Sequence, residues 1–431
     1  MSVRLPEGER KRAPLFILLI LPFVMAGMSE AGVACDGPGF GGPISSAAAS
    51  DTITFGFAIS ITGRTAKEGE YARDGYQFFV DTANELGGIK VGGKTYKLEL
   101  KYYDDESKPE RSAELFEKLI NEDKVNFLLG PYGSAPTGLV APIAEKYKIP
   151  MVAAHGSAGS IDSRGYRYIV GIQTPARYYS RGIIDAVLAK DSAIKTIAIL
   201  GESDPFADEV TSGAAAYATD KGLQIVFNED YPSGTQDVSG LLKKIKALSP
   251  DILLSSGHLQ DSLLVVRQSK MVGVSPKAMG FTVGPSSPEF RQNLKQDADY
   301  ILGATQWTSA LKYEGDDYWK TPSAFADAFR AKYTNYKTVP YHVAESVAAL
   351  IVFQKALEKA GSLDREKVRE ALQGLDIDTF FAHIKLDAYG VNSDKPMAVE
   401  QLQPDGKKYT VFPAAVAEKQ MLYPMPAWDN R

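Results

Sequence analysis

Two hydrophobic periods alternate along the chain from Asp51 onward. The run "TITFGFAIS" reads as a strand. It is followed by "GEYARDGYQFFVDTANELGG", where Tyr76, Phe79, Val80 and Ala83 recur at helical spacing until Gly87 and Gly88 stop the helix. "KTYKLELKYYD" alternates as a strand, and "ERSAELFEKLINED" gathers Leu115, Phe116, Leu119 and Ile120 on one helical face. "VNFLLG", "APTGLVAPIAEKYK" and "IPMVAA" continue as strand, helix and buried strand. The same rhythm resumes with "IKTIAIL", "FADEVTSGAAAYATDKG", "LQIVFNED", "DVSGLLKKIKALSP", "DILLSSG", "LQDSLLVVRQSKMVG" and "KAMGFTV". A long helix, "HVAESVAALIVFQKALEKAG", comes late, and the tail reads as short strands with turns at 392–394 and 405–406.

Strands alternating with helices imply an α/β fold with parallel sheets covered on both faces. There are too many units for one sheet, and the repetition breaks near "YIVGIQTPARYYS". The expectation is two doubly wound parallel-sheet lobes. The first takes residues 51–173 plus about 304–382, and the second takes 174–303 plus about 383–431.

The first fifty residues follow another pattern. Arg4, Arg10, Lys11 and Arg12 precede the uncharged "APLFILLILPFVMAGM", and small residues follow. These are the parts of a secretory signal, expected over 1–34, with a flexible glycine-, proline- and serine-rich lead-in over 35–50. The apolar core is short for a spanning helix, which needs roughly 20 residues. Cys35 is the only cysteine, so no internal disulfide forms. "GVAC" loosely resembles a bacterial lipobox, with Gly32 where a larger aliphatic is usual. An incidental thiol near the cleavage point is the first reading and lipidation the alternative. The net charge of −5, with scattered basic residues, gives no reason to expect nucleic acid.

Catalytic motifs are missing. No phosphate-cradling loop, dinucleotide fingerprint, H-E-x-x-H or G-x-S-x-G occurs, and His155, His258, His342 and His383 lie far apart in sequence. Asp104 and Asp105 read as turn and capping residues. No cofactor, no metal and no enzyme activity is expected. What remains is a set of strand-to-helix loops with small polar residues, at the edge where doubly wound sheets bind ligands. In "GPYGSAPTG", Ser134 and the amides near Ala135 open a helix and favour an anion. His155, Gly156 and Ser157 repeat the arrangement one strand later. Each serine alone could be a simple N-cap; two in neighbouring loops point toward a carboxylate seat.

Residues 51 to about 415 resemble the type I periplasmic binding proteins of the branched-chain amino acid transport family. The resemblance is carried by "ITFGFAISITGRTAKEGEYARDGYQFFVDTANELGGI", by the long match from "LKYYDDESKPERSAELF" to "KIPMVAA", and by "DILLSSGHLQD" and "ILGATQWT" in order. It implies two lobes joined by a three-strand hinge that closes over a ligand. It implies a periplasmic receptor, expected as a monomer, that serves a membrane ABC permease; the alternative is a sensor of the same fold that reports its ligand to a membrane signalling partner. By resemblance, Ser134 holds the ligand carboxylate, and His155 and Ser157 supply a backbone group and a hydroxyl. Phe206 and His258 face the ligand from the second lobe. The family's usual acid for a ligand ammonium is replaced by Thr282, Val283 and Gly284, so Asp204 or Asp261 substitutes or the ligand lacks an ammonium. Tyr132, Phe206 and His258 could then line a pocket for an apolar or aromatic carboxylate.

Overall fold

The structure, a computed structural model, describes residues 51–431. The expected leader, the lead-in and Cys35 lie outside the described residues. The chain begins β1 (Thr52–Ile59), α1 (Ala66–Glu85), β2 (Ile89–Val91), β3 (Lys94–Asp104), α2 (Pro109–Asn121), β4 (Phe127–Leu129), α3 (Ser134–Lys146), β5 (Met151–Ala153), α4 (Gly159–Asp162) and β6 (Ile169–Gly171). These strands form one sheet in the order β2-β3-β1-β4-β5-β6, parallel except for the β2–β3 hairpin. Every residue of β4, β5 and β6 is buried, as continuous apolar runs in a parallel sheet require.

A second sheet follows from α5 (Arg181–Lys190), β7 (Thr196–Ser203), α6 (Pro205–Asp220), β8 (Gln224–Pro232), α7 (Ser239–Leu248), β9 (Ile252–Ser256), α8 (Leu259–Val272), β10 (Ala278–Phe281), α9 (Pro288–Leu294) and β11 (Leu302–Thr305). The chain then returns to the first body through α10 (Pro322–Lys332), α11 (Tyr341–Ala360), α12 (Arg365–Gln373) and the hairpin of β12 (Asp376–Asp378) and β13 (His383–Lys385). It ends in the second sheet with β14 (Ala398–Leu402) and β15 (Lys408–Phe412), giving the order β15-β14-β11-β10-β9-β7-β8. The α11 helix is buried almost all round through Phe353, and its side chains join the first core with those of α1.

Two expected boundaries move. The break at 303/304 falls inside β11, whose ladder runs on to the Thr305–Ala398 pair of the second sheet. The break at 382/383 falls ahead of β13. Its Ile384 is buried in the first core, and its carbonyl at His383 accepts from the Asn392 amide, so the return lies beyond Asn392. Both errors come from ladder pairing between distant segments, which local periodicity does not encode.

Three segments therefore cross between the sheets, and they are tied to one another. The Thr174 N–H donates to Gln306 Oε1 at 3.1 Å, and Gln306 Nε2 returns a bond to the Thr174 carbonyl at 3.1 Å. Thr174 Oγ1 donates to the Lys395 carbonyl at 2.8 Å. Lys395 Nζ donates to Gln306 Oε1 at 2.9 Å and also to the Gln306 carbonyl. One residue from each crossing is thus joined to the other two.

The Lys395 amine is buried. Burial pushes its pKa down from its ordinary 10.5 to about 7, with the Glu345 charge opposing only in part. The folded value lies below the unfolded one, so the unfolded chain binds more protons between them. Stability attributable to this group rises as pH climbs from about 7 toward 10.5. We expect the melting temperature of Lys395→Met to rise less between pH 7 and pH 9 than that of the native protein, measured by calorimetry. Parallel curves would show that Lys395 does not titrate in this window.

Candidate functional site

The strand-to-helix loops of both sheets meet around one cavity. It is lined by Tyr132, Gly133, Ser134, His155, Ser157, Gln173, Tyr179, Phe206, His258, Val283, Tyr341 and His342, and its free volume in this arrangement is about 20 Å³, so a guest larger than a water needs the walls to part. Gly133, at φ 92°, turns the chain between β4 and α3 in a conformation that a side chain would strain. That turn sets Ser134 at the start of α3 with its side chain buried.

Ser134 Oγ accepts from the N–H groups of Ser157 and Ala158 at 3.2 and 3.1 Å. The hydroxyl links the loops after β4 and β5, and its own proton remains to be donated. The Ser157 hydroxyl lies within reach of Tyr179, a contact that favours the ionised phenol but is outweighed by burial, which raises the Tyr179 pKa. The His155 imidazole turns away from a ligand role. Its Nδ1 meets Glu345 Oε2 at 3.2 Å and its Nε2 meets Ser346 Oγ at 2.9 Å, while its carbonyl accepts from the Gly133 N–H. Ser346, His155 and Glu345 have the order of a nucleophile, base and acid. Ser346 is not in the cavity wall, however, and its hydroxyl also bonds the His342 carbonyl of its own helix. The chain of bonds fixes His155 against α11.

The second sheet contributes Phe206, His258 and Val283. The Phe206 ring packs edge-on to Tyr179, with centroids 5.1 Å apart, and lies 5.8 Å from the His258 ring. His258 is held at both nitrogens, with Nδ1 3.0 Å from the Tyr132 hydroxyl and Nε2 3.1 Å from Asp204 Oδ2. Burial works against the imidazolium. The Asp204 hydrogen bond and charge, helped by Glu202 and Glu68, outweigh it and raise the His258 pKa to about 9. Burial opposes the Asp204 anion too, but the bond to His258 wins and lowers its pKa.

Beside the cavity, Arg64 of the first body reaches two carboxylates of the second. It bonds Asp261 at 2.7 Å and also Glu202. Glu68 of α1 accepts from the Leu259 N–H at 3.1 Å across the same gap. Burial raises the pKa of both Glu68 and Glu202.

Of the residues singled out by sequence, Tyr132, Ser134, His155, Ser157, Phe206 and His258 line the cavity. Three do not. Ala135 faces an adjoining groove shared with Arg64, Asp204 and His258, because it lies one step along the helix from Ser134. Gly156 is set behind the wall against Thr137, whose Oγ1 would stand 2.6 Å from any β-carbon placed there. Asp204 caps α6 through the Ala207 N–H and spends its other oxygen on His258, so it is committed before a ligand arrives. Asp261 is likewise engaged by Arg64 and by the His258 N–H.

Sequence reasoning passed over Gln173, Tyr179, Val283, Tyr341 and His342 as wall residues. Gln173 follows β6 in the same carboxyl-end position as the other loops, a signal that was available. His342 and Tyr341 open α11, whose apolar sequence reads as plain core.

The His258 charge depends on one partner. We expect Asp204→Asn to lower the midpoint of the His258 imidazole resonances from about 9 by roughly 1 to 3 units in an NMR titration. An unmoved midpoint would assign the raised value to other groups.

Residues 52–407 match the family described as periplasmic binding protein. The leucine-, isoleucine-, valine-, threonine- and alanine-binding protein of Pseudomonas aeruginosa is 27% identical over 343 residues, covering 79% of this chain and 87% of that one. A Leu/Ile/Val-binding protein homolog 8 of Brucella melitensis is 26% identical, covering 86% and 93%. Among solved structures, the branched-chain amino acid transporter substrate binding protein LivJ of Streptococcus pneumoniae, in complex with isoleucine, shares the fold. Its TM-score is 0.73 at 20% identity, covering 87% of this chain and all of that one (100%). A solute binding protein of R. palustris in complex with benzoate gives a TM-score of 0.70 at 18% identity, covering 87% and 97%. With the family model matched over most of its length, this chain belongs to the periplasmic binding proteins.

Proposed function

We propose that this protein is an extracytoplasmic receptor that captures an amino acid or a related small carboxylate and delivers it to a membrane ABC permease. The observation that carries the reading is the pair Ser134 and Ser157, brought from successive loops to one buried cavity between the two bodies. Ser134 has an O–H left to give, and a carboxylate is the acceptor that suits a neutral donor in an enclosed site. The relatives whose names state branched-chain amino acid binding support the amino acid class. The aromatic lining of Tyr132, Tyr179, Phe206 and Tyr341 supports apolar or aromatic guests.

Release and uptake need the two bodies to part, and the three tied crossings supply the pivot in this reading. A guest that touches both bodies binds their closed arrangement more tightly than the open one and shifts the population toward it. The basic head and apolar run at the N-terminus support export to the periplasm.

The test is titration calorimetry of Ser134→Ala against a panel of amino acids and aromatic acids. Loss of a charge-assisted hydrogen bond is worth about 1.5–3 kcal/mol, so affinity for the best ligand is expected to fall roughly tenfold to a hundredfold. Unchanged affinity would remove Ser134 from the binding site.

A further inference from the structure

Two buried polar side chains in the cavity wall have hydrogen-bonding capacity that the protein does not use. Both ring nitrogens of His342 lack a partner, and so does Gln173 Oε1. The orientation of Gln173 is fixed by chemistry: its Nε2 donates to Glu345 Oε1 at 2.9 Å, and only the amide nitrogen can donate to that carboxylate. The amide oxygen is therefore the atom of this wall residue left without a partner. Glu345 stands one helical turn after His342 on α11, so the Gln173 amide is anchored on the helix face that presents the imidazole. Unpaired buried polar atoms cost free energy unless a guest satisfies them.

We propose that Gln173 and His342 are the specificity-determining pair, and that they select a hydroxy carboxylic acid over the corresponding amino acid. The inference rests on the receptor reading above. The guest's carboxylate takes the Ser134 and Ser157 end, and its hydroxyl donates to Gln173 Oε1 and accepts from the His342 N–H. A neutral imidazole offers one donor and one acceptor, and an amide oxygen only accepts. A hydroxyl is the small group that both gives and receives; an ammonium gives only.

Charge points the same way. The cavity wall contains no carboxylate, and the acids nearest to it are engaged: Asp204 by His258, and Glu345 by His155 and Gln173. Burial, with His155 and His258 adding to it, holds the His342 pKa well below the ordinary histidine value, so its imidazole is neutral and can both donate and accept. Thr282 and Val283 follow β10 and bring no charge, and the Thr282 hydroxyl is spent on the Gly257 carbonyl at 2.8 Å.

The test is calorimetry of the purified protein with leucine, α-hydroxyisocaproate and isocaproate, and with benzoate and para-hydroxybenzoate. In at least one series the hydroxyl-bearing acid is expected to bind at least about tenfold more tightly than its partners. Gln173→Met and His342→Phe should each bring it to within about twofold of the acid lacking the hydroxyl. The native-protein comparison stands even if a variant fails to fold. Leucine binding tightest of its series overturns this inference and leaves the receptor reading intact. Hydroxyl-bearing acids no tighter than their plain partners in both series overturn it too, as does a preference that survives both substitutions in folded protein. No binding by any member overturns the receptor reading for small carboxylates, and this inference with it.

Discussion

A short run of hydrogen bonds passes from the Tyr132 hydroxyl through the His258 imidazole to the Asp204 carboxylate. Tyr132 follows a strand of the first sheet, and the other two residues start helices of the second. The cavity depends on this bridge because it fixes both walls at once. It holds the Tyr132 ring 5.8 Å from His155 and the His258 ring 5.8 Å from Phe206, so the aromatic lining is set from a single ionic anchor. His258 is buried and Asp204 half-buried, so removing Asp204 would leave a buried imidazole charge without its main partner.

Behind the first wall lies a second polar layer. Glu345 is buried, and burial raises its pKa against the pull of His155 and Gln173. It receives His155 on one oxygen and Gln173 on the other. Through Gln173, which adjoins the crossing residue Thr174, this layer runs into the ties of Gln306 and Lys395. The pocket floor and the crossings are thus neighbouring parts of one buried hydrogen-bonded assembly.

Much of this was legible in the sequence. The alternation of strand and helix patterns reads out the two doubly wound sheets because each element carries its own apolar period. Ser134 and Ser157 stood out because loops after parallel strands share one edge, and Phe206 and His258 stood out through the family resemblance. What stayed hidden depends on pairing at a distance. The reach of β11 to Thr305 is fixed by its ladder with β14, nearly a hundred positions on. Asp204 looked available for a ligand cation, yet a cap and a histidine already occupy it. His342 looked like core in an apolar helix, and only its two unpartnered nitrogens set it apart from its neighbours.

The Arg64 contacts have a bearing on how the receptor would discriminate. Arg64 joins the two bodies through Glu202 and Asp261, which are protein groups and carry no information about the guest. In the proposed closing motion, part of the free energy of shutting would therefore be a constant, the same whichever molecule is enclosed. Natural variation at position 64 would raise or lower the affinities of all guests by a common factor and leave their ranking untouched. Strength of retention and choice of cargo are thereby written in separate residues, and one can drift without the other.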